Sequence, residues 1–156
     1  MSKSRKRVEA ALTATGLPVE VLEMPGETRT AQQAADQVRC HLDQIAKSIV
    51  FKGTKSGAAV LFLTAGGNQV DTELATDVAG QPLERADASF VRVMTGFAIG
   101  GVSPVGHLNP PHCYFDPRLA DFDLVYAAAG TPKHLFAVDP GSLLRISGAT
   151  SAQFCR

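Results

Sequence analysis

Lys47 is the residue of this chain whose setting most suggests chemistry. It stands in Ile45-Ala46-Lys47-Ser48-Ile49-Val50-Phe51-Lys52, a run that reads as a strand, where positions 45, 47, 49 and 51 share one face. The other three residues on that face are apolar. A lysine among them must snorkel to an edge, pair with a carboxylate, or face a cleft and meet an anionic or carbonyl group. Lys52, on the opposite face at the strand end, is expected in solvent. A second stretch runs from Gly96 to His107, with four glycines, Gly96, Gly100, Gly101 and Gly106, separated by Phe97, Ala98, Ile99, Val102, Ser103, Pro104 and Val105. Glycine lets another backbone or a ligand come close. Because the residues between the glycines are apolar, the loop is expected against the core with N–H groups facing a cleft. The alternative is a bulged strand and a turn with no ligand. The third element is the turn Gly130-Thr131-Pro132-Lys133-His134, whose histidine either serves a site or is buried by Leu135 and Phe136. An ammonium beside a row of backbone N–H groups suits binding a carbonyl or oxyanion, and so ester hydrolysis better than redox or phosphoryl chemistry.

Other chemistries lack their residues. Gly101-Val102-Ser103-Pro104-Val105 misses the Gly-x-Ser-x-Gly elbow at its fifth position, and a proline directly after the serine disfavours that turn. Gly53-Thr54-Lys55-Ser56-Gly57 is a hairpin loop without phosphate-loop spacing. Cys40-His41 and His112-Cys113 are adjacent pairs, unlike zinc motifs, whose ligands are spaced. His107 reads as a loop residue. No metal and no cofactor is expected.

The elements that must hold these residues follow from periodicity and punctuation. A first helix capped by Ser2 or Ser4 runs to about Thr15, with Val8, Ala11, Leu12 and Thr15 on one face. The basic residues before that face read either as a solvated helix start or as a phosphate contact. Val19–Met24 alternates as a strand. Thr30-Ala31-Gln32-Gln33 is a capping box, opening a helix whose small face is Ala31, Ala34, Ala35 and Val38. Ala58–Leu63 is continuously apolar, as in a strand covered on both sides. A helix from Asp71 to Ala79 turns Leu74 and Val78 inward and stops at Gly80. Leu83–Ala86 is a brief strand, and Asp87 caps a helix that delivers the chain to Gly96. Cys113–Phe115, Leu124–Ala129 and His134–Val138 are strands, the last two forming a hairpin. Asp139-Pro140 opens a final helix, and residues 149–156 are expected to fray.

The 156 residues, 45% hydrophobic and 19% charged, fit one globular domain spanning 1–156. No window has the apolar length of a membrane span and no signal-peptide core follows the basic start. Three cysteines without scaffold spacing fit a reducing compartment, so a cytoplasmic location is expected, with no membrane partner. A formal net charge of zero excludes broad non-specific nucleic-acid binding, and no DNA partner is expected.

Taken together, Thr28-Arg29-Thr30-Ala31 with Ala34-Ala35, Gln44 to Lys52, Thr95 to Gly106, and Gly130 to His134 resemble, in this order, four segments of the YbaK/ProX family of aminoacyl-tRNA deacylases. The resemblance covers nearly the whole chain. It implies a mixed α+β fold in one domain, with a curved, barrel-like mixed sheet and flanking helices around a cleft. It implies trans-editing: hydrolysis of the ester of mischarged tRNA, chiefly tRNA for proline carrying cysteine or alanine, without a cofactor. By the same resemblance, Lys47 would contact the terminal adenosine or its phosphate and fix the ester. Gly100, Gly101 and Ser103 would hold the ribose and the aminoacyl carbonyl, and Gly130 and His134 would line the aminoacyl side and position water or the 2′-hydroxyl. Thr30, Ser48, Val102, Pro104 and Gly106 complete the expected substrate contacts. Lys47-Ser48 resembles cysteine-editing members and His134 alanine-editing ones, so the amino acid removed stays open. Expected partners are the acceptor end of mischarged tRNA, with Arg29, Lys52, Arg92 and Lys133 as candidates for its track, and prolyl-tRNA synthetase. The competing reading is a non-catalytic module that binds tRNA or a synthetase.

Overall fold

The strand Ala59–Ala65 (β3) is buried along its whole length, as its unbroken apolar run requires. The computed structural model, which describes residues 2–156, builds an eight-stranded mixed sheet around it. Ile45–Gly53 (β2) pairs antiparallel with β3, from Ala46 opposite Ala65 to Lys52 opposite Ala59. On its other side β3 pairs parallel with His112–Phe115 (β5), and β5 pairs parallel with Thr150–Ser151 (β8).

The far edge of β2 is shared by two partners. Val125–Ala128 (β6) pairs parallel with Ile45 and Ala46. Leu83–Arg85 (β4) pairs antiparallel with Phe51 to Gly53. Between them, Lys47–Val50 have a cross-strand partner on the β3 side only. That gap is where the sheet opens into a cleft. Beyond β6 lie His134–Val138 (β7) and then Val21–Glu23 (β1), both antiparallel to their neighbours.

Helices cover both faces. On one, the helix Lys3–Ala14 (α1) packs Val8 and Leu12 into the main core, with Leu61, Leu63, Phe97, Phe115 and Phe136. On the other, Ala31–Val38 (α2) sets Ala34 and Ala35 against Ile45 and Leu135. Beside it, Thr72–Ala79 (α3) sets Ala75 against Val60, Phe62 and Phe154. Small alanines let each helix lie close to the sheet. Ala88–Thr95 (α4) and Pro140–Ile146 (α5) complete the chain. The caps are the expected ones: Ser2, Thr30 with its capping box, Asp71, Asp87 and Asp139.

Two expectations are corrected and one is refined. The strand over Val19–Met24 shrinks to Val21–Glu23, because only β7 is there to pair with it. The fully buried residue of α3 is Ala75, with Leu74 and Val78 partly covered. The last residues do not fray. β8 adds to the sheet, Phe154 is buried and accepts a hydrogen bond from the Asp71 N–H, and Cys155 bridges to Val70. Among the described residues no helix is long and apolar enough to cross a membrane.

Candidate functional site

The gap beside β2 opens into a cleft of about 510 Å³. One wall is the N-terminal end of α2 with Arg29 and Thr30, the other is the glycine loop at Ile99, Gly100 and Val102, and the floor is Ala46 to Ile49. Of the residues picked out by sequence, Thr30, Lys47, Ser48, Gly100 and Val102 meet here. A smaller chamber of about 160 Å³ continues past Ser48, lined by Val50, Ala86, Val91, Ile99 and Val102.

Lys47 lies on the face of β2 that carries Ile45, Ile49 and Phe51, as strand alternation demands. It neither snorkels into solvent nor pairs directly with a carboxylate. Its half-buried ammonium donates to the carbonyls of Gly66 (3.1 Å) and Asn68 (2.5 Å), leaving a third N–H free to point into the cleft. Burial pulls its pKa below the ordinary lysine value, while the nearby carboxylates of Asp43 and Asp116 oppose that shift. The Ser48 hydroxyl is buried and has no hydrogen-bond partner among the described residues, an unpaid desolvation cost that a bound polar group would relieve. The Thr30 hydroxyl is committed to the cap, accepting from the Gln33 N–H at 3.1 Å, so its role is to fix the α2 wall.

The remaining glycine-loop residues stand behind the cleft. A Cβ on Gly101 would lie 3.0–3.1 Å from the Thr131 backbone, so this glycine is where the loop packs onto the β6–β7 turn. Ser103 is fully buried and its hydroxyl accepts from the Val105 N–H at 3.3 Å. Pro104 is buried beside it. Gly106 abuts the backbone of Arg7, and Gly130 abuts that of Ser4. Gly101, Ser103, Pro104, Gly106 and Gly130 are therefore not among the residues that line the cleft; they shape the loops that form it.

His134 also stands outside this cleft. β7 alternates, so Leu135 enters the cleft and His134 takes the opposite face. It opens on a separate depression lined by Arg5, Glu23, Glu27 and Lys133. Thr131 Oγ accepts from the Lys133 N–H and shares a 2.5 Å hydrogen bond with His134 Nδ1. The ring braces the turn.

Arg7 is the residue that local patterning missed. The sequence offered a solvated helix start or a phosphate contact for the basic run. Instead Arg7 clamps both ends of the glycine loop, Nη2 donating to Gly96 O (2.7 Å) and Nε to Gly106 O (3.1 Å), with its guanidinium 5.0 Å from the centre of the Phe97 ring. Its neighbour Arg5 pairs with Glu9. No feature within ten residues of Arg7 points to a partner about a hundred positions away. No cluster of three or more His, Cys, Asp or Glu side chains placed to hold a metal occurs among the described residues.

The histidines beside the loop set an acid sensitivity. Burial lowers the pKa of His107, whose Nε2–H donates to Ser103 O (2.5 Å) and whose buried Nδ1 has no partner among the described residues. Burial, then Arg5, lowers that of His134. Both are therefore neutral in the native state at neutral pH. Below the unfolded histidine value of about 6.5 the unfolded chain binds more protons than the native one, so stability falls with pH. Thermal midpoints are expected to be level from pH 8 to about 6.5 and to drop from there toward pH 5. His107→Gln should flatten much of that drop. A midpoint constant down to pH 5 in the parent protein would remove the claim.

Comparison with known proteins places the chain among others. The family model for the aminoacyl-tRNA editing domain matches residues 25–146, which span both walls of the cleft. A solved structure described as a proposed trans-editing enzyme for prolyl tRNA synthetase is 45% identical, with a TM-score of 0.92 over 100% of this chain and 99% of that one. A solved structure of a protein described only as hypothetical is 27% identical, with a TM-score of 0.88 over 96% and 99%. The uncharacterized protein YwhH of Bacillus subtilis (strain 168) is 29% identical over 92% of this chain and 91% of its own length.

Proposed function

The chain belongs to the aminoacyl-tRNA editing domain family, and from that premise we propose that it is a trans-editing deacylase, which hydrolyses the ester of tRNA for proline carrying a wrong small amino acid, alanine or cysteine. The observation that carries this reading is the Lys47 ammonium, fixed by two main-chain carbonyls at a cleft whose opposite wall is the glycine loop.

The acceptor end of the tRNA enters between Arg29 and Gly100. The free N–H of Lys47 meets the terminal adenosine and the ester, and its charge stabilises the oxyanion that forms when water adds to the ester carbonyl. The bond from that carbon to the ribose oxygen then breaks, the ribose oxygen takes a proton, and free amino acid and tRNA leave. The side chain of the amino acid sits in the apolar chamber behind Ser48, whose volume of about 160 Å³ suits a small group. Gly101, Ser103, Pro104, Gly106 and Gly130 act by holding the loops, and His134 by bracing its turn. The earlier resemblance to a 45%-identical protein described as serving prolyl tRNA synthetase supports the choice of tRNA and makes that synthetase the candidate partner.

The test is turnover at catalytic enzyme concentration on tRNA for proline charged separately with alanine, cysteine, serine and proline. The expected result is rapid loss of alanine or cysteine with proline spared by at least about a hundredfold in rate. Stoichiometric protection of charged tRNA without turnover would replace the enzyme by a binding module.

A further inference from the structure

Among the described residues the Lys47 ammonium has no carboxylate in contact. Its two acceptors are main-chain carbonyls of the turn after β3, Gly66 and Asn68, so the direction of the ammonium depends on what fixes that turn. Asp116, 3% exposed and just past β5, does so. Its Oδ2 accepts from the Ala65 N–H (3.0 Å) and from Asn68 Nδ2 (2.9 Å), and its Oδ1 accepts from the Arg118 N–H (3.0 Å). The Cys155 thiol, 3.7 Å away, donates to the same Oδ2. Burial and Asp116 push that thiol up to about 12, so it stays protonated and remains a donor. Asp43 holds the middle of the turn, accepting from the Gly67 N–H (2.7 Å) and pairing with Arg118 Nε (3.0 Å).

We propose that Asp116, acting through the Asn68 side chain and main-chain carbonyl, is the positioning residue that aims the Lys47 ammonium into the cleft. The proposal rests on the reading of Lys47 as the cation that faces the substrate. The chain of contacts is short: carboxylate to Asn68 amide, Asn68 carbonyl to ammonium. The titratable and charged groups around Lys47 come from three elements besides β2: Asp43 and its partner Arg118, Asp116, and Cys155 on the C-terminal segment. Asp116 is the one among them that both carries negative charge toward Lys47 and touches a residue holding it. The C-terminal segment is thereby part of the site, since Cys155 takes one side of the carboxylate.

Two readouts separate positioning from mere support of a turn. The first is the Lys47 titration, followed by the ¹³Cε resonance in the protein without tRNA. The second is the split between kcat and KM in deacylation. Asp116→Asn removes the charge and replaces one acceptor by a donor facing Asn68. The Lys47 midpoint is expected to move down by at least about half a pH unit, and kcat to fall about tenfold with KM within about twofold. Asn68→Ala keeps the carbonyl and cuts only the side-chain link, so it guards against a variant that fails to fold. It is expected to lower kcat with KM unchanged and the thermal midpoint nearly so. Asn68→Asp, which sets a carboxylate against a carboxylate, should lose more than Asn68→Ala. A Lys47 midpoint and kcat equal to the parent's in both Asp116→Asn and Asn68→Ala overturn the proposal. A shifted midpoint in a protein that deacylates none of the tested tRNAs upholds the positioning and faults the deacylase reading instead.

Discussion

Lys47→Ala is expected to lower kcat/KM for deacylation at least about a hundredfold while leaving a folded protein whose thermal midpoint falls by only a few degrees. The two halves of that result have different causes. Activity goes because the ammonium is the group in the cleft that both donates to the substrate and carries positive charge to the developing oxyanion; removing a single such donor elsewhere costs about 3–4 kcal/mol of barrier. The fold survives because Lys47 is half-buried at an open gap in the sheet, where Lys47–Val50 already pair on one side only. The carbonyls of Gly66 and Asn68 lose a donor but lie beside an open cleft, where water can replace it, and Asp116 and Asp43 still pin their turn. Lys47→Arg is expected to recover little, since a planar guanidinium cannot meet two carbonyls and the substrate from one point as an ammonium does. Circular dichroism and single-turnover hydrolysis of the same preparations decide it, and wild-type turnover by Lys47→Ala removes Lys47 from the mechanism.

The face occupied by Lys47 was legible because strand alternation is local: Ile45, Ile49 and Phe51 fix it by their period alone. The α2 wall was legible for the same reason, since Thr30 and Gln33 form a capping box within four residues. The membership of the editing family followed from four segments in order. What escaped shares a different property. Arg7, Asp116 and Cys155 act on groups 39 to 99 positions away, through hydrogen bonds that leave no period in the sequence. The C-terminal segment escaped because β8 is two residues long and is held by pairing that its own composition does not announce. The position of His134 was legible only in part. The spacing from Gly130 marks a turn, but the same alternation that puts Leu135 in the cleft turns His134 away from it, and that second step was available in the sequence.

Gly130→Ala is expected to cost about 2–4 kcal/mol of stability, which for a chain of this size lowers the thermal midpoint by roughly 5–15 °C. Gly130 has φ +95°, where an L side chain is strained, and an added Cβ would stand 2.8 Å from Ser4 O and 2.9 Å from Ser4 C. Those atoms are helix backbone, so no rotamer change relieves the clash; α1 or the turn must move. Ser4 Oγ donates to Gly130 O at 2.8 Å, and that bond goes with the displacement. Gly80→Ala separates the two contributions. Gly80 also has a left-handed φ, +70°, yet nothing lies within 4 Å of its added Cβ, so its cost is the conformational term alone, about 1 kcal/mol. The difference between the two variants therefore measures the close approach of α1. Its consequence reaches the cleft, because the same helix carries Arg7, which ties Gly96 to Gly106. Gly130→Ala should accordingly lose deacylation below its own unfolding temperature, whereas Gly80→Ala keeps it. Equal losses of stability in the two variants would show that α1 does not depend on the close contact at Gly130.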